Sequence, residues 1–213
     1  MEKMKIRHPQ WTSQDGLECS VYHDGCELVE AILVTAEICG QILSPAAAET
    51  LTGDLADFDE AVILDALARC RMELQGPLRI SEILSRIRDG RPDAGEAWAM
   101  MPQDELASVV WTDEMARAWG IVMPLLEAGD VGTARTIFLE VYDKAVLEAR
   151  IRHDPPRWSP SLGRDVADRE RTLLDALHKH RLSPAHVAQL LPSTRTLVGA
   201  EEMTAQAGIK NLH

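Results

Sequence analysis

Three features of the sequence predict an all-α fold, a multi-helix bundle of roughly nine to ten helices. Apolar residues recur at spacings of three and four along most of the chain. Ser-Pro, Asp and Thr start signals open successive runs, and Gly or Pro closes them. No segment shows the alternating, β-branched pattern of a strand. With 46% hydrophobic and 26% charged residues the composition is that of a globular chain. At 213 residues it can bury one substantial core or fold as two helical subdomains in series.

Residues 1–25 read as an irregular arm, with Pro9, Gly16 and Gly25 among polar residues and Trp11 tucked into the body. After Asp24-Gly25, the residues Leu28, Ala31, Ile32, Thr35, Ile38, Cys39 and Ile42 trace an amphipathic helix. Ser44-Pro45 combines a serine N-cap with proline at the first helical position and opens a short helix that closes near Gly53. Asp57, with Glu60 three residues on, reads as the cap of a helix that runs to about Leu74. Gln75-Gly76-Pro77 ends it, and Ile80 to Arg88 fits a helix of about two turns, fenced by Gly90-Arg91-Pro92.

Glu96 to Met101 fits a further turn of helix, with Asp104 to Val110 as its continuation. Thr112 caps a better-defined helix carrying Ala116, Trp119, Val122, Met123 and Leu126, which Pro124 is expected to kink or shorten. Its Asp113 and Glu114 suit the positive N-terminal end. Gly129-Asp130 separates it from the longest helix, which keeps its period from Ala134 to about Arg152. Pro155-Pro156 stops that helix, and residues 157–163 form a compact loop. Helices from Arg164 to His178 and from Ser183-Pro184 to Leu191 come next, and residues 193–213 read as a loose tail.

The net charge of −12 is unevenly spread. Residues 1–110 carry 9 basic and 20 acidic side chains, residues 111–213 carry 13 and 14, and 150–195 is locally basic at 9 to 5. The expected organisation is an arm (1–25), an acidic helical subdomain (26–101), a second helical subdomain (102–192) and a tail (193–213), with the seam at Gly90 to Gln103. Four cysteines, Cys19, Cys26, Cys39 and Cys70, are too scattered for a disulfide scaffold and suit free thiols in a reducing compartment. The longest apolar run, Ala31 to Leu43, is too short to span a bilayer, and the first residues lack a signal-peptide pattern, so the expectation is a cytoplasmic protein without membrane contact.

Candidate chemistry is sparse. Cys19-x3-His23-x2-Cys26, with His8 as a remote fourth ligand, does not follow a familiar zinc spacing, so no metal and no cofactor is expected. The paired carboxylates Asp59-Glu60, Asp104-Glu105, Asp113-Glu114 and Glu201-Glu202 mostly fall at helix starts, where the helix dipole favours them. No phosphate loop, His-Glu-x-x-His or Gly-x-Ser-x-Gly motif occurs, and no catalytic residue can be named. Arg150, Arg152, Arg157, Trp158, Arg164, Arg169 and Arg171 combine positive charge with an aromatic ring. Such a set suits phosphate contacts with base stacking, a protein-binding face, or a solvated helix end.

From Leu28 to Trp98 the order is a long helix, a Ser-Pro-started short helix, and a helix ending in Ala-Leu-x-Arg-Cys. Pro77, Ile80, Glu82 and Ile83 come after it, then Pro92 before Glu96-Ala97-Trp98. This segment resembles the small helical domain of bacteriophage replicative-helicase loader or inhibitor proteins. Gly76-Pro77-Leu78 stands where that family has an aromatic–Pro–Pro entry. The second half, from Ser108-Val109-Val110-Trp111-Thr112 through Trp158 and Ser161-Leu162-Gly163 to Asp165, is similar to uncharacterised proteins of proteobacterial prophages, and an excess of arginine over lysine, 17 to 5, fits GC-rich coding. The resemblance implies a non-catalytic accessory factor that binds a host replicative helicase. Arg86, Arg88, Arg91 and Trp98 would then be partner-facing, and the basic segment would touch helicase, DNA or an initiator. The rivals are a helical regulator or adaptor that sequesters a host protein, and a metal-dependent enzyme.

Overall fold

The computed structural model describes residues 23–102 and 104–191, with side chains from Glu27 onward. The fold is mostly helical, with nine helices and one two-stranded sheet among the described residues. No helix among them is long and apolar enough to cross a membrane. The arm with Trp11, the tail 193–213, and the Cys19, His23, Cys26 and His8 side chains lie outside the described residues.

The chain divides into two compact units, up to Leu78 and from Arg79 onward. The first contains α1 (His23–Ile38), α2 (Pro45–Asp54) and α3 (Glu60–Glu73). Helix α1 starts at His23, upstream of the Asp24-Gly25 lead-in expected from the sequence, and packs on both α2 and α3. Leu28, Ile32, Thr35 and Ala36 share its buried face, whereas Val34, Ile38 and Ile42 are exposed, so the inward stripe is narrower than the period alone suggested. Ile63, Ala66, Leu67 and Cys70 of α3 complete the core with Ala48 and Leu55. Asp59 rather than Asp57 caps α3, its carboxylate accepting from the Ala61 N–H. Thr35 is fully buried because its hydroxyl is satisfied: it donates to Ala31 O at 2.7 Å and accepts from Arg71 Nη1 at 2.8 Å.

The second unit contains α4 (Ile80–Arg86), α5 (Ala94–Ala99), β1 (Val109–Thr112), α6 (Asp113–Glu127) and α7 (Val131–Ile151). Beyond these come β2 (Trp158–Ser161), α8 (Val166–His178) and α9 (Pro184–Leu190). Helices α6 and α7 form its backbone as a hairpin, turned by Gly129 at φ 79° and capped by Asp130, which accepts from the Thr133 N–H. Helix α6 runs three residues past Pro124. Both α4 and α5 pack on α7, which places the boundary at Leu78/Arg79 and not in the Gly90–Gln103 seam expected from charge. The charge break is in fact sharper there. Described residues 23–78 carry 2 basic and 11 acidic side chains, and residues 79–191 carry 15 and 18, leaving out masked Gln103, which is uncharged.

Two sequence expectations fail between α5 and α6. Residues 104–110 do not continue a helix: Asp104 Oδ1 accepts from the N–H groups of Leu106 and Ala107 and turns the chain away. The chain then enters β1, which pairs antiparallel with β2 in the register Val109↔Ser161 and Thr112↔Trp158. Residues 109–112 and 158–161 are therefore hydrogen-bonded neighbours. Gly163 is pressed against the turn, where a β-carbon would come within 2.1 Å of Leu106 O. The Arg164 and Asp165 N–H groups donate to Glu105 O and Leu106 O.

The unit has two cores. One joins α5, α6 and α7 around Met115, Val122, Phe138 and Tyr142, and the other joins α8 and α9 to Val110 around Leu173 and Val187. Trp158 packs against both.

Candidate partner-binding cleft

The arginines singled out from the sequence divide into buried and surface groups. Arg91 and Arg150 are core residues, only 7% and 6% exposed. Arg91 donates through Nε and Nη2 to Glu114 Oε1 at 3.1 and 3.0 Å, through Nη2 to Asp154 O at 2.9 Å, and through Nη1 to Asp89. Arg150 donates to both Asp89 oxygens and to the carbonyls of Leu84 and Ser85. One guanidinium thus ties the loop after α4 to α6, and the other ties the same loop to α7.

Burial works against ionisation of Asp89, but the hydrogen bonds and charges of Arg150 and Arg91 outweigh it and hold its carboxyl below the usual range. For Arg91, burial is likewise outweighed, here by Glu114 and Asp89, which hold the guanidinium protonated. The sequence reading of Arg91 as an exposed partner contact is corrected: its side chain is 1% exposed because Asp89 and Glu114 compensate its charge inside the protein.

The remaining arginines are at the surface, and nearly all are matched. Arg86 is half-buried and pairs with Glu82 on its own helix, while Arg88 is exposed. Arg152 pairs with Asp154, Arg157 with Asp113, Arg164 with Glu105 and Arg171 with Asp168, and Arg169 donates to Gly163 O. The segment that is basic in sequence is therefore interleaved with carboxylates in space. Trp158 does not present a free ring face either, because the Arg181 guanidinium lies 4.3 Å from its centroid. Among the described residues no group of three or more His, Cys, Asp and Glu side chains is placed to hold a metal ion.

Trp98 begins a row of aromatic rings. It is half-buried on α5, and its ring meets Trp119 of α6 at 6.0 Å and 57°, and Phe138 of α7 edge-on at 5.3 Å. Phe138 stacks parallel to Tyr142 at 6.0 Å, and the Tyr142 hydroxyl donates to Pro92 O at 2.8 Å. Burial among these groups pushes the phenol's pKa well upward, so Tyr142 is a neutral donor. The aromatic row leads from the buried charge network out to the surface.

At its outer end lies an open cleft of about 480 Å³. Trp98, Trp119, Met101, Met123 and Leu126 supply its apolar lining, and Asp104, Glu105 and Glu127 stand at its edge. Val131 belongs to the same lining, and it and Met123 are 56% and 37% exposed. Trp119, Met123 and Leu126 were legible only as the apolar stripe of α6. Their helical spacing announces an inward face, and nothing local marks the part that no other element covers.

A second groove, of about 340 Å³, lies along α8 and β1, but Arg171, Lys179 and Arg181 within it are paired with Asp168, Asp175 and Glu96. No family model, no curated protein and no solved structure matches the chain.

Proposed function

We propose that this chain is a non-catalytic accessory factor of phage or prophage origin that works by binding a partner protein. The observation that carries the reading is the tryptophan cleft. It places two half-buried indole rings, two methionines, a leucine and the exposed Val131 around one opening. Tryptophan in a partly covered pocket is the usual kind of anchor at protein interfaces, and methionine lends such a surface adaptability.

The resemblance of residues 28–98 to helicase loader or inhibitor proteins makes a replicative helicase the first partner to test. Immobilised full-length protein should retain purified replicative helicase of a proteobacterial host at micromolar concentration. No retention, with or without nucleotide, would sink the helicase assignment.

A helical regulator that sequesters a different host protein is the second reading. It is favoured by one observation: the resembling segment is split at Leu78, so α1 to α3 and α4 to α5 belong to different units. Retention of a purified non-replication host protein, with none of the helicase, would support it.

A further inference from the structure

We propose that the occupant of the tryptophan cleft is an amphipathic segment of a partner protein in which one bulky apolar side chain is flanked by lysines or arginines. This rests on the reading of the cleft as a partner-binding site. Three carboxylates, Asp104, Glu105 and Glu127, line the opening, and among the described residues no lysine, arginine or histidine does. The apolar lining calls for a buried anchor and the rim calls for positive charge beside it.

Two of the rim carboxylates are open to such exchange. Glu105 pairs with Arg164 at 3.0 Å, but both side chains are more than three-quarters exposed, and exposed pairs of this kind contribute little and are readily replaced. Glu127 is exposed at the end of α6, where its charge opposes the helix dipole and a cation is the favoured neighbour. Asp104 spends Oδ1 on the Leu106 and Ala107 N–H groups.

A polypeptide fits better than a small amine, because the cleft is open and its apolar lining runs from Trp98 on α5 across Trp119 and Met123 on α6 to the exposed Val131 that starts α7. An interface needs a central anchor with a complementary rim, and the rim charges set association rate and partner choice.

The test uses the full chain and a labelled peptide of about twelve residues with one phenylalanine amid leucines and lysines, with binding read by fluorescence anisotropy. The double substitution Glu105→Lys and Glu127→Lys should weaken binding about tenfold and flatten its dependence on salt. A control with the same change in net charge, Glu37→Lys and Glu49→Lys on exposed positions of the first unit, should leave the affinity within about twofold. Met123→Lys should weaken binding without altering the circular dichroism spectrum.

Equal losses in the two double variants would overturn the proposal, since net charge alone would then explain binding. So would equal affinity for the peptide with glutamate in place of lysine. A dimer that Met123→Lys dissociates would also overturn it, with a second copy as the occupant. The two readings fail separately. Helicase retention unchanged by the rim substitutions would refute this occupant and leave the partner reading intact. Charge-dependent peptide binding without helicase retention would do the reverse for the helicase assignment.

Discussion

The two units reach a stable interior by different routes. The first places a nearly pure acidic surface, 11 carboxylates to 2 guanidinium groups, around an interior whose buried polar side chain, among the described residues, is Thr35. The second carries 18 acidic and 15 basic side chains and takes some of both inside, as Arg91, Arg150 and Glu114. An apolar core tolerates substitutions of similar volume, because dispersion and burial are indifferent to direction. A buried ion network does not, because each partner left behind is an uncompensated charge in a poorly polarisable medium. The contrast therefore predicts that the second unit is the one that single charge changes can unfold.

The largest effect should come from Arg91→Ala. It strands Glu114 and half of the Asp89 pairing, and removal of one partner from a buried pair costs about 3–5 kcal/mol. Amide exchange read separately over the two units should show the loss in α4 to α7 and leave α1 to α3 protected. Uniform loss across both units would erase the distinction drawn between them.

Next in size is acid sensitivity. Asp89 has a folded-state pKa below its unfolded value of about 3.9, so its stabilisation is present above that pH and is lost as pH falls through the lower folded value. The second unit should lose stability steeply below about pH 4, and Asp89→Asn should flatten that slope while lowering stability at neutral pH. An unchanged slope in the variant would assign the acid transition to other carboxylates.

Gly163→Ala should cost about 1–3 kcal/mol, because its β-carbon must displace the Leu106 and Ala107 carbonyls and not a flexible side-chain end. Thermal melts of the full chain would show it. At the bottom of the scale, Arg164→Ala should change stability by less than about 0.5 kcal/mol, since both members of its pair are exposed. A larger loss would mean that the rim of the cleft is held more firmly than its exposure implies.

Much of the fold was legible because helix signals are local. Ser44-Pro45, Thr112, Asp130 and Ser183-Pro184 mark helix starts in the sequence, and each side chain caps a helix in the structure. The sheet was not legible, because Val109 to Thr112 and Trp158-Ser-Pro-Ser become strands only through their pairing with each other. Neither is long enough, nor regular enough, to declare itself. The same holds for the site. Trp98 could be singled out in the sequence, but its partners Trp119 and Phe138 lie 21 and 40 positions downstream and meet it through the α6–α7 hairpin.

The helical class, most helix starts and the acidic character of the first unit were already set by composition and by residues a few positions apart. Which charges are structural, and which apolar residues stay uncovered, depended on the packing of distant elements. Arg91 and Arg164 look alike in a sequence, yet one is locked between Asp89 and Glu114 and the other leans on Glu105 at the surface. Burial and compensation are properties of what packs around a side chain, and that environment is assembled from elements far apart along the chain.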